Sequence, residues 1–130
     1  MTPEEIIKAD AKRRGVAPNQ SMGRINKLFQ LGGQMVQDND TIFTFLSNGK
    51  GAVRYHFYTA EDAEGLRNSL KNFIQIMKAA GAREIFVISK NRPKYLEFLE
   101  SVYDDVGLPY QRAPYQDAVI LAAELNAPEQ

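Results

Sequence analysis

The chain has no cysteine and no tryptophan, and a single histidine, His56, among its 130 residues. Without cysteine there is no disulfide framework, thiol nucleophile or thiolate metal site, and one histidine cannot build a multi-histidine centre, so no metal is expected. Long hydrophobic runs are also missing. No apolar stretch approaches the roughly 18 residues that a membrane span needs. The start, "MTPEEIIKAD", is acidic and amphipathic rather than basic and then apolar, unlike a secretory leader. No sign of charge dominates either. Sixteen basic and sixteen acidic residues cancel, which leaves no overall field to draw the chain to nucleic acid or an anionic membrane. The first 33 residues carry a mild basic surplus, Lys8, Lys12, Arg13, Arg14, Arg24 and Lys27 against Glu4, Glu5 and Asp10, which reads as a solvated helix face. A soluble protein made in a cytoplasm is expected.

A hydrophobic content of 44% suffices for one core, so the chain reads as a single domain: N-terminal helices over 3–32, a sheet and helix core over 34–125, and a frayed tail over 126–130. Thr2, Pro3 and Glu5 have the form of a capping box with proline at the first helical position, and Gly15 is a stop, giving a helix from Pro3 to Arg14. Asn19 is the expected cap of a second helix with Met22, Ile25, Leu28 and Phe29 on one face, ended by Gly32-Gly33. Asn48-Gly49 signals a hairpin pairing Thr41–Ser47 with Ala52–Tyr58, preceded by a third antiparallel strand over Met35–Gln37. Alternation groups Val53, Tyr55 and Phe57 on one face and Arg54, His56 and Tyr58 on the other. "SNGKG" lacks a phosphate loop's pattern and following helix, and reads as the hairpin turn.

Thr59 reads as the N-cap of a long helix, with Asp62 three residues on and Leu66, Leu70, Phe73, Ile74 and Met77 as its buried stripe up to Gly81. Arg83–Ser89 is a short apolar run expected to be a strand buried on both faces. A fourth helix from Asn91, with Pro93 in its first turn, carries the stripe Tyr95, Leu96, Leu99, Val102, Tyr103 and Val106 and stops at Gly107 and Pro109. Tyr110–Arg112, a break at Pro114, and "DAVILAAEL" as a last strand or strand pair complete the chain. The class is α/β, in the α+β sense, with a mixed central sheet.

This order of elements, over roughly residues 20–125, resembles the GNAT superfamily of N-acetyltransferases without its usual first strand, and in particular the short, diverged acetyltransferase-like proteins of bacteriophage virions. A local motif adds to the resemblance. Family members often have an asparagine after the central strand and a helix ending in Tyr-x-x-x-Gly-Phe, and "SKNRPKYLEFLESVYDDVGLPY" offers Asn91, Tyr103, Gly107 and Leu108. The resemblance implies Tyr103 as the general acid that reprotonates the departing thiolate of coenzyme A, a role suited to a phenol of pKa about 10. The helix between Asn91 and Tyr103 is longer than is common in the family. The alternative is that Tyr103 belongs to the buried stripe with its hydroxyl at the rim.

The family's cofactor loop follows the strand that enters the long helix and reads Gln/Arg-x-x-Gly-x-Gly/Ala. There, glycines and unpaired N–H groups receive a pyrophosphate. Here the loop is "TAEDAEGL", with one glycine, Gly65, and no basic residue before Arg67. Its acids, Glu61, Asp62 and Glu64, fill the role at the helix start that a bound phosphate would play, and would repel a pyrophosphate. Two functions from different classes follow. The first is a noncatalytic scaffold with an acetyltransferase-like fold, a virion or assembly component acting through protein contacts and needing no cofactor. The second is an acetyl-CoA-dependent N-acetyltransferase. It would bind its cofactor through Thr59, Ala60, Gly65, Leu66, Arg67 and Asn91, and would use His56 or Glu61 as base and Tyr103 as acid. An imidazole with its ordinary pKa of about 6.5 would suit the base. A small regulator of a host protein is the remaining alternative. The acids in the loop rank the scaffold first.

Overall fold

The computed structural model describes residues 1–126. Among them are α1 (Pro3–Arg14), α2 (Pro18–Gln30), β1 (Gln34–Asp38), β2 (Thr41–Ser47), β3 (Ala52–Thr59), α3 (Ala63–Ala79), β4 (Glu84–Ser89), α4 (Pro93–Asp105), β5 (Tyr110–Tyr115) and β6 (Ala118–Glu124). The strand order is β1-β2-β3-β4-β6-β5. The sheet is mixed: β3 runs parallel to β4, whereas β1–β2, β4–β6 and β5–β6 are antiparallel. The chain forms two compact units, Met1–Leu46 with Tyr55–Phe73, and Ser47–Arg54 with Ile74 onward. Both β3 and α3 run through the two units.

In the first unit, α1 starts where its local chemistry dictates. The Thr2 hydroxyl accepts the Glu5 N–H, and the Glu5 carboxylate accepts the Thr2 N–H at 2.9 Å, a reciprocal cap that satisfies two otherwise orphaned donors. Ile6, Ile7, Asp10 and Ala11 form its buried face. The second helix departs from expectation. It begins at Pro18, whose fixed φ suits the first helical position, behind Ala17, so Asn19 lies inside the helix and caps nothing. Phe29, placed by periodicity on the buried face, is 43% exposed. The apolar cluster beneath α2, formed by Ile6, Ile7, Ile25, Ile42 and Tyr58 with Met22 against it, reaches no further than Ile25, and the last turn overhangs it.

The β2–β3 hairpin is regular. Asn48 N–H donates to Ala52 O at one end and Ala60 N–H to Asp40 O at the other, each at 3.0 Å. Both bonds close the same register, in which Phe43 faces Phe57 and Thr41 faces Thr59. The Phe73 ring of α3 stacks on Phe43 at 4.4 Å and tilts against Tyr55 at 5.3 Å, at the centre of the unit's core. Phe73 is fully buried, and truncating such a ring costs about 3–5 kcal/mol.

In the second unit β4 begins at Glu84, and Arg83 instead closes a turn, its N–H donating to Gly51 O at 2.8 Å. The expectation that this strand is buried on both faces is corrected: Ile85 and Val87 are buried, but Phe86 and Ile88 on the opposite face are half-buried. The fourth helix starts at Pro93 with Arg92 in the cap position, which leaves Asn91 two residues ahead of it. Of its predicted stripe Leu96, Leu99, Val102 and Tyr103 are buried, and Tyr95 and Val106 at its two ends are half-buried. The Leu108 N–H folds back to Tyr103 O at 2.9 Å across Gly107, whose φ of 72° is left-handed. Pro114 does not break the C-terminal segment. It lies within β5, an edge strand, where a residue without an N–H donor is tolerated. Asn126, expected in the frayed tail, is anchored through its amide to Ala82 O at 2.7 Å; the rest of that tail, 127–130, lies outside the described residues.

Candidate functional site

The junction of β3 and α3 collects most of the predicted cofactor residues, all in the first unit. Thr59 was expected to cap α3 but stays in the strand. Its hydroxyl lies 2.7 Å from the Thr41 hydroxyl and accepts the Glu61 N–H at 3.0 Å, so it is not available to the helix. Asp62 is the cap: its carboxylate accepts the Gly65 N–H at 2.8 Å, and its carbonyl accepts the Leu66 N–H at 2.9 Å. Aspartate is a good cap because its short side chain reaches the third helical N–H and its charge complements the helix dipole.

Glu61 turns inward. Its Oε2 accepts hydrogen bonds from the Thr41 hydroxyl and, at 2.7 Å, from the Ser69 hydroxyl. Thr41 and Ser69 have no exposed surface. The protons order themselves around this carboxylate: Thr41 donates to Glu61, Thr59 then donates to Thr41, and the Glu61 N–H donates to Thr59. A Cβ on Gly65 would lie 3.0 Å from Glu61 Oε1 and 3.2 Å from Asp62 Oδ1, so the space above the only glycine of the loop is taken by two carboxylates. The N–H groups of Ala60, Glu61, Gly65 and Leu66 all have acceptors within the chain.

The first helix supplies residues that sequence reasoning missed. Asp10, only 2% exposed, accepts the Thr59 N–H on Oδ1 at 3.0 Å and pairs through Oδ2 with Arg14 Nε at 3.1 Å. Burial raises its pKa above the ordinary aspartate value, against the lowering influence of the Thr59 N–H and of Arg14 and Arg13. Burial likewise raises the Tyr58 phenol, opposed by Arg24 and Arg14. Arg13 donates to Glu61 O at 2.8 Å. A signal for Asp10 existed: an acid at helical spacing from Ile6 and Ile7, one turn before an arginine.

No protein-family model and no curated protein matches the chain. Solved structures do. A putative acetyltransferase from Salmonella typhimurium, solved with acetyl-CoA, superposes with a TM-score of 0.57 at 13% identity over 88% of this chain and 78% of its own. A Bacillus subtilis acetyltransferase in complex with CoA gives 0.57 at 16% identity over 82% and 86%. A GNAT superfamily phosphinothricin acetyltransferase from Sinorhizobium meliloti in complex with acetyl-CoA gives 0.53 at 12% identity over 84% and 70%. The chain has a GNAT-like fold.

The remaining predicted residues are taken element by element. His56 is half-buried on β3, its ring edge-on to Tyr58 at 4.7 Å, while the Glu61 carboxylate is directed to Thr41 and Ser69. Arg67 is half-buried in the second turn of α3. Asn91 and Tyr103 belong to the second unit. Tyr103 is fully buried in the α4 stripe, its ring 5.9 Å from that of Tyr110, rather than at the rim. A cavity of about 410 Å³ in the second unit opens between Lys50, Arg83, Glu84, Tyr110 and Glu124 and touches none of the predicted site residues. Among the described residues no group of three or more His, Asp or Glu could hold a metal, and no helix is long and apolar enough to cross a membrane.

Proposed function

We propose that this GNAT-like protein is a noncatalytic scaffold that acts through protein–protein contacts, as a bacteriophage virion or assembly component. The observation that carries the reading is the internal occupation of the β3–α3 junction. Asp62 and Glu61 place two carboxylates over Gly65, and four of the junction's N–H groups already donate within the chain. A pyrophosphate arriving there would have to displace a capping aspartate and approach the half-buried Glu61 carboxylate, a like charge. Each such group favours its present state: a cap is worth about 1 kcal/mol, and hydrogen bonds to a charged acceptor about 1.5–3 kcal/mol. The virion setting rests on the sequence resemblance and is tested by copurification with particle proteins.

A second reading is favoured by the comparisons: neighbours of this fold were solved with acetyl-CoA or CoA. In that reading the chain is an acyl-CoA N-acyltransferase. Its cofactor would lie against Thr59, Ala60, Gly65, Leu66, Arg67 and Asn91, with His56 or Glu61 as base and Tyr103 as acid. Thermal denaturation with and without millimolar acetyl-CoA separates the two. A ligand at 1,000 times its Kd stabilises by about 4.1 kcal/mol, a rise of roughly 10–20 °C in Tm for a chain of this size. The scaffold reading expects no rise; a clear rise overturns it.

A further inference from the structure

The cavity of the second unit has its floor on the sheet. Ala52 faces Glu84 across β3 and β4, Glu84 faces Glu124 across β4 and β6, and Ala122 faces Gln111 across β6 and β5. All five line the cavity. They share one side of the sheet, opposite the side on which Ile85, Val87, Leu121 and Ala123 are buried. Alanine at two of these positions keeps the floor low. The resulting volume of about 410 Å³ falls in the range of small-molecule sites.

The charges of the lining are sorted by place. Glu84 and Glu124 supply the acids. The Leu125 N–H donates to Arg83 O at 2.8 Å, so Glu84 and Glu124 form the adjoining pair without a backbone bond between them, in which side chains come closest. Like charges directly opposite one another in a sheet are destabilising. The bases lie at the β3 end. Lys50 belongs to the turn before β3, and Arg83 lays its Cγ and Cδ against Gly51 of the same turn, where an added Cβ would lie 2.9 Å from each. Asn48 holds that turn, its Oδ1 accepting the Lys50 and Ala52 N–H groups at 2.7 and 3.2 Å. Among the described residues none of these four charged side chains has a hydrogen bond or ion pair within the chain. Neighbouring strands are about 4.8 Å apart, which sets the acids of β4 and β6 about 5–10 Å across the sheet from the β3 end.

We propose that this cavity binds a small zwitterion of the amino-acid class, with its ammonium between Glu84 and Glu124 and its carboxylate against Arg83 and Lys50. The lining is itself neutral, two acids against two bases. A ligand of one sign is repelled by half of it, whereas a zwitterion is attracted at both ends. The bound ammonium also relieves the repulsion between the two facing glutamates. Since the cavity touches none of the residues of the β3–α3 junction, the site goes beyond both readings of that junction and depends on neither.

The test titrates the intact protein with 6-aminohexanoate, whose two charges span that distance when extended, and with hexanoate and hexylamine, which each keep one of them. Amide NMR shifts give the affinities. 6-Aminohexanoate should bind about fivefold tighter than either analogue, the scale of an exposed ion pair, with shifts centred on Ala52, Glu84, Gln111 and Glu124. Glu124→Gln should weaken 6-aminohexanoate about threefold and leave hexanoate no weaker. Arg83→Gln should weaken it to a similar degree and leave hexylamine no weaker. Glu124→Gln should also melt no lower than the wild type, because it removes one of two facing like charges. A lower Tm would mean that the four charges hold one another as a surface ion-pair cluster, and overturns the proposal. So does the absence of shifts at millimolar 6-aminohexanoate, equal affinity for the three probes, or shifts centred on other residues.

Discussion

Thr41 and Thr59 face each other across the β2–β3 hairpin with their hydroxyl oxygens 2.7 Å apart, and the pair is closed by the Glu61 carboxylate, which accepts from Thr41 and Ser69. Two hydroxyls without exposed surface thus share one acid, Ser69 having a longer alternative in Asp38 O at 3.3 Å. Glu61→Ala would leave both without that acceptor and should cost about 1–3 kcal/mol. Glu61→Gln keeps an acceptor oxygen and should cost less. Urea midpoints at unchanged m-value measure both losses; an alanine variant within 0.5 kcal/mol of wild type would show that the network contributes nothing to stability.

Gly65 tests the same carboxylate from above. Alanine is favoured over glycine inside a helix by about 1 kcal/mol, but here the new Cβ would sit 3.0 Å from Glu61 Oε1, closer than side-chain contacts normally come. Gly65→Ala should therefore gain little in the wild type and more in a Glu61→Ala background, though short of the full helical increment, because Asp62 Oδ1 and the Cβ of residue 61 still lie 3.2 Å from the new methyl. The double-mutant cycle reads the coupling directly. Additive effects would mean that Glu61 moves aside at no cost, and that the space above Gly65 is not held.

What the sequence revealed was what a few neighbouring residues decide. Thr2 and Glu5 are three residues apart, and their reciprocal cap needs nothing else. The α4 stripe from Leu96 to Tyr103 is visible because helical spacing alone places it. The errors arose where a distant partner intervenes. Thr59 has the form of a cap, but Thr41, far away in the chain, holds its hydroxyl, and the cap passes to Asp62. Pro114 reads as a break unless it is known that β5 lies at the sheet edge. Asp10 reads as a surface acid until its partner Thr59, 49 residues on, is in place. The acids of the junction were legible as a cluster, but not the inward turn of Glu61, which requires Ser69 and Thr41 on two other elements.

Asp10 predicts a pH dependence of unusual sign. Burial raises its folded-state pKa above the ordinary 3.8, so between that value and the folded one the native state binds more protons than the unfolded state, and stability falls as pH rises. The contribution is fully present below the unfolded pKa and lost once pH passes the folded one. Glu5 has the opposite sign: its pKa is lowered chiefly by the Thr2 backbone hydrogen bond, so its stabilisation is present above 4.5 and lost in acid. Wild type should lose stability relative to Asp10→Asn as pH climbs from about 4, with Glu5 acting equally in both proteins. Denaturant unfolding across that window checks the slope; a constant difference would place Asp10 at its ordinary pKa.

Arg112 and Glu100 join β5 to α4 by a fork, with Arg112 Nε and Nη2 at 2.8 and 2.6 Å from the two carboxylate oxygens. The hydrogen bonds from Arg112 are the main reason that Glu100 titrates below the ordinary glutamate range. Arg112→Ala should return the Glu100 pKa towards that range, and Arg112→Lys should recover only part of the shift, because an ammonium presents a point charge in place of the planar fork. Carboxyl resonances followed by NMR through the acid range measure this at the residue itself. The pair is partly exposed, so added salt should shrink the shift as well; a Glu100 titration unmoved by either substitution would show that the fork does not hold its charge in solution.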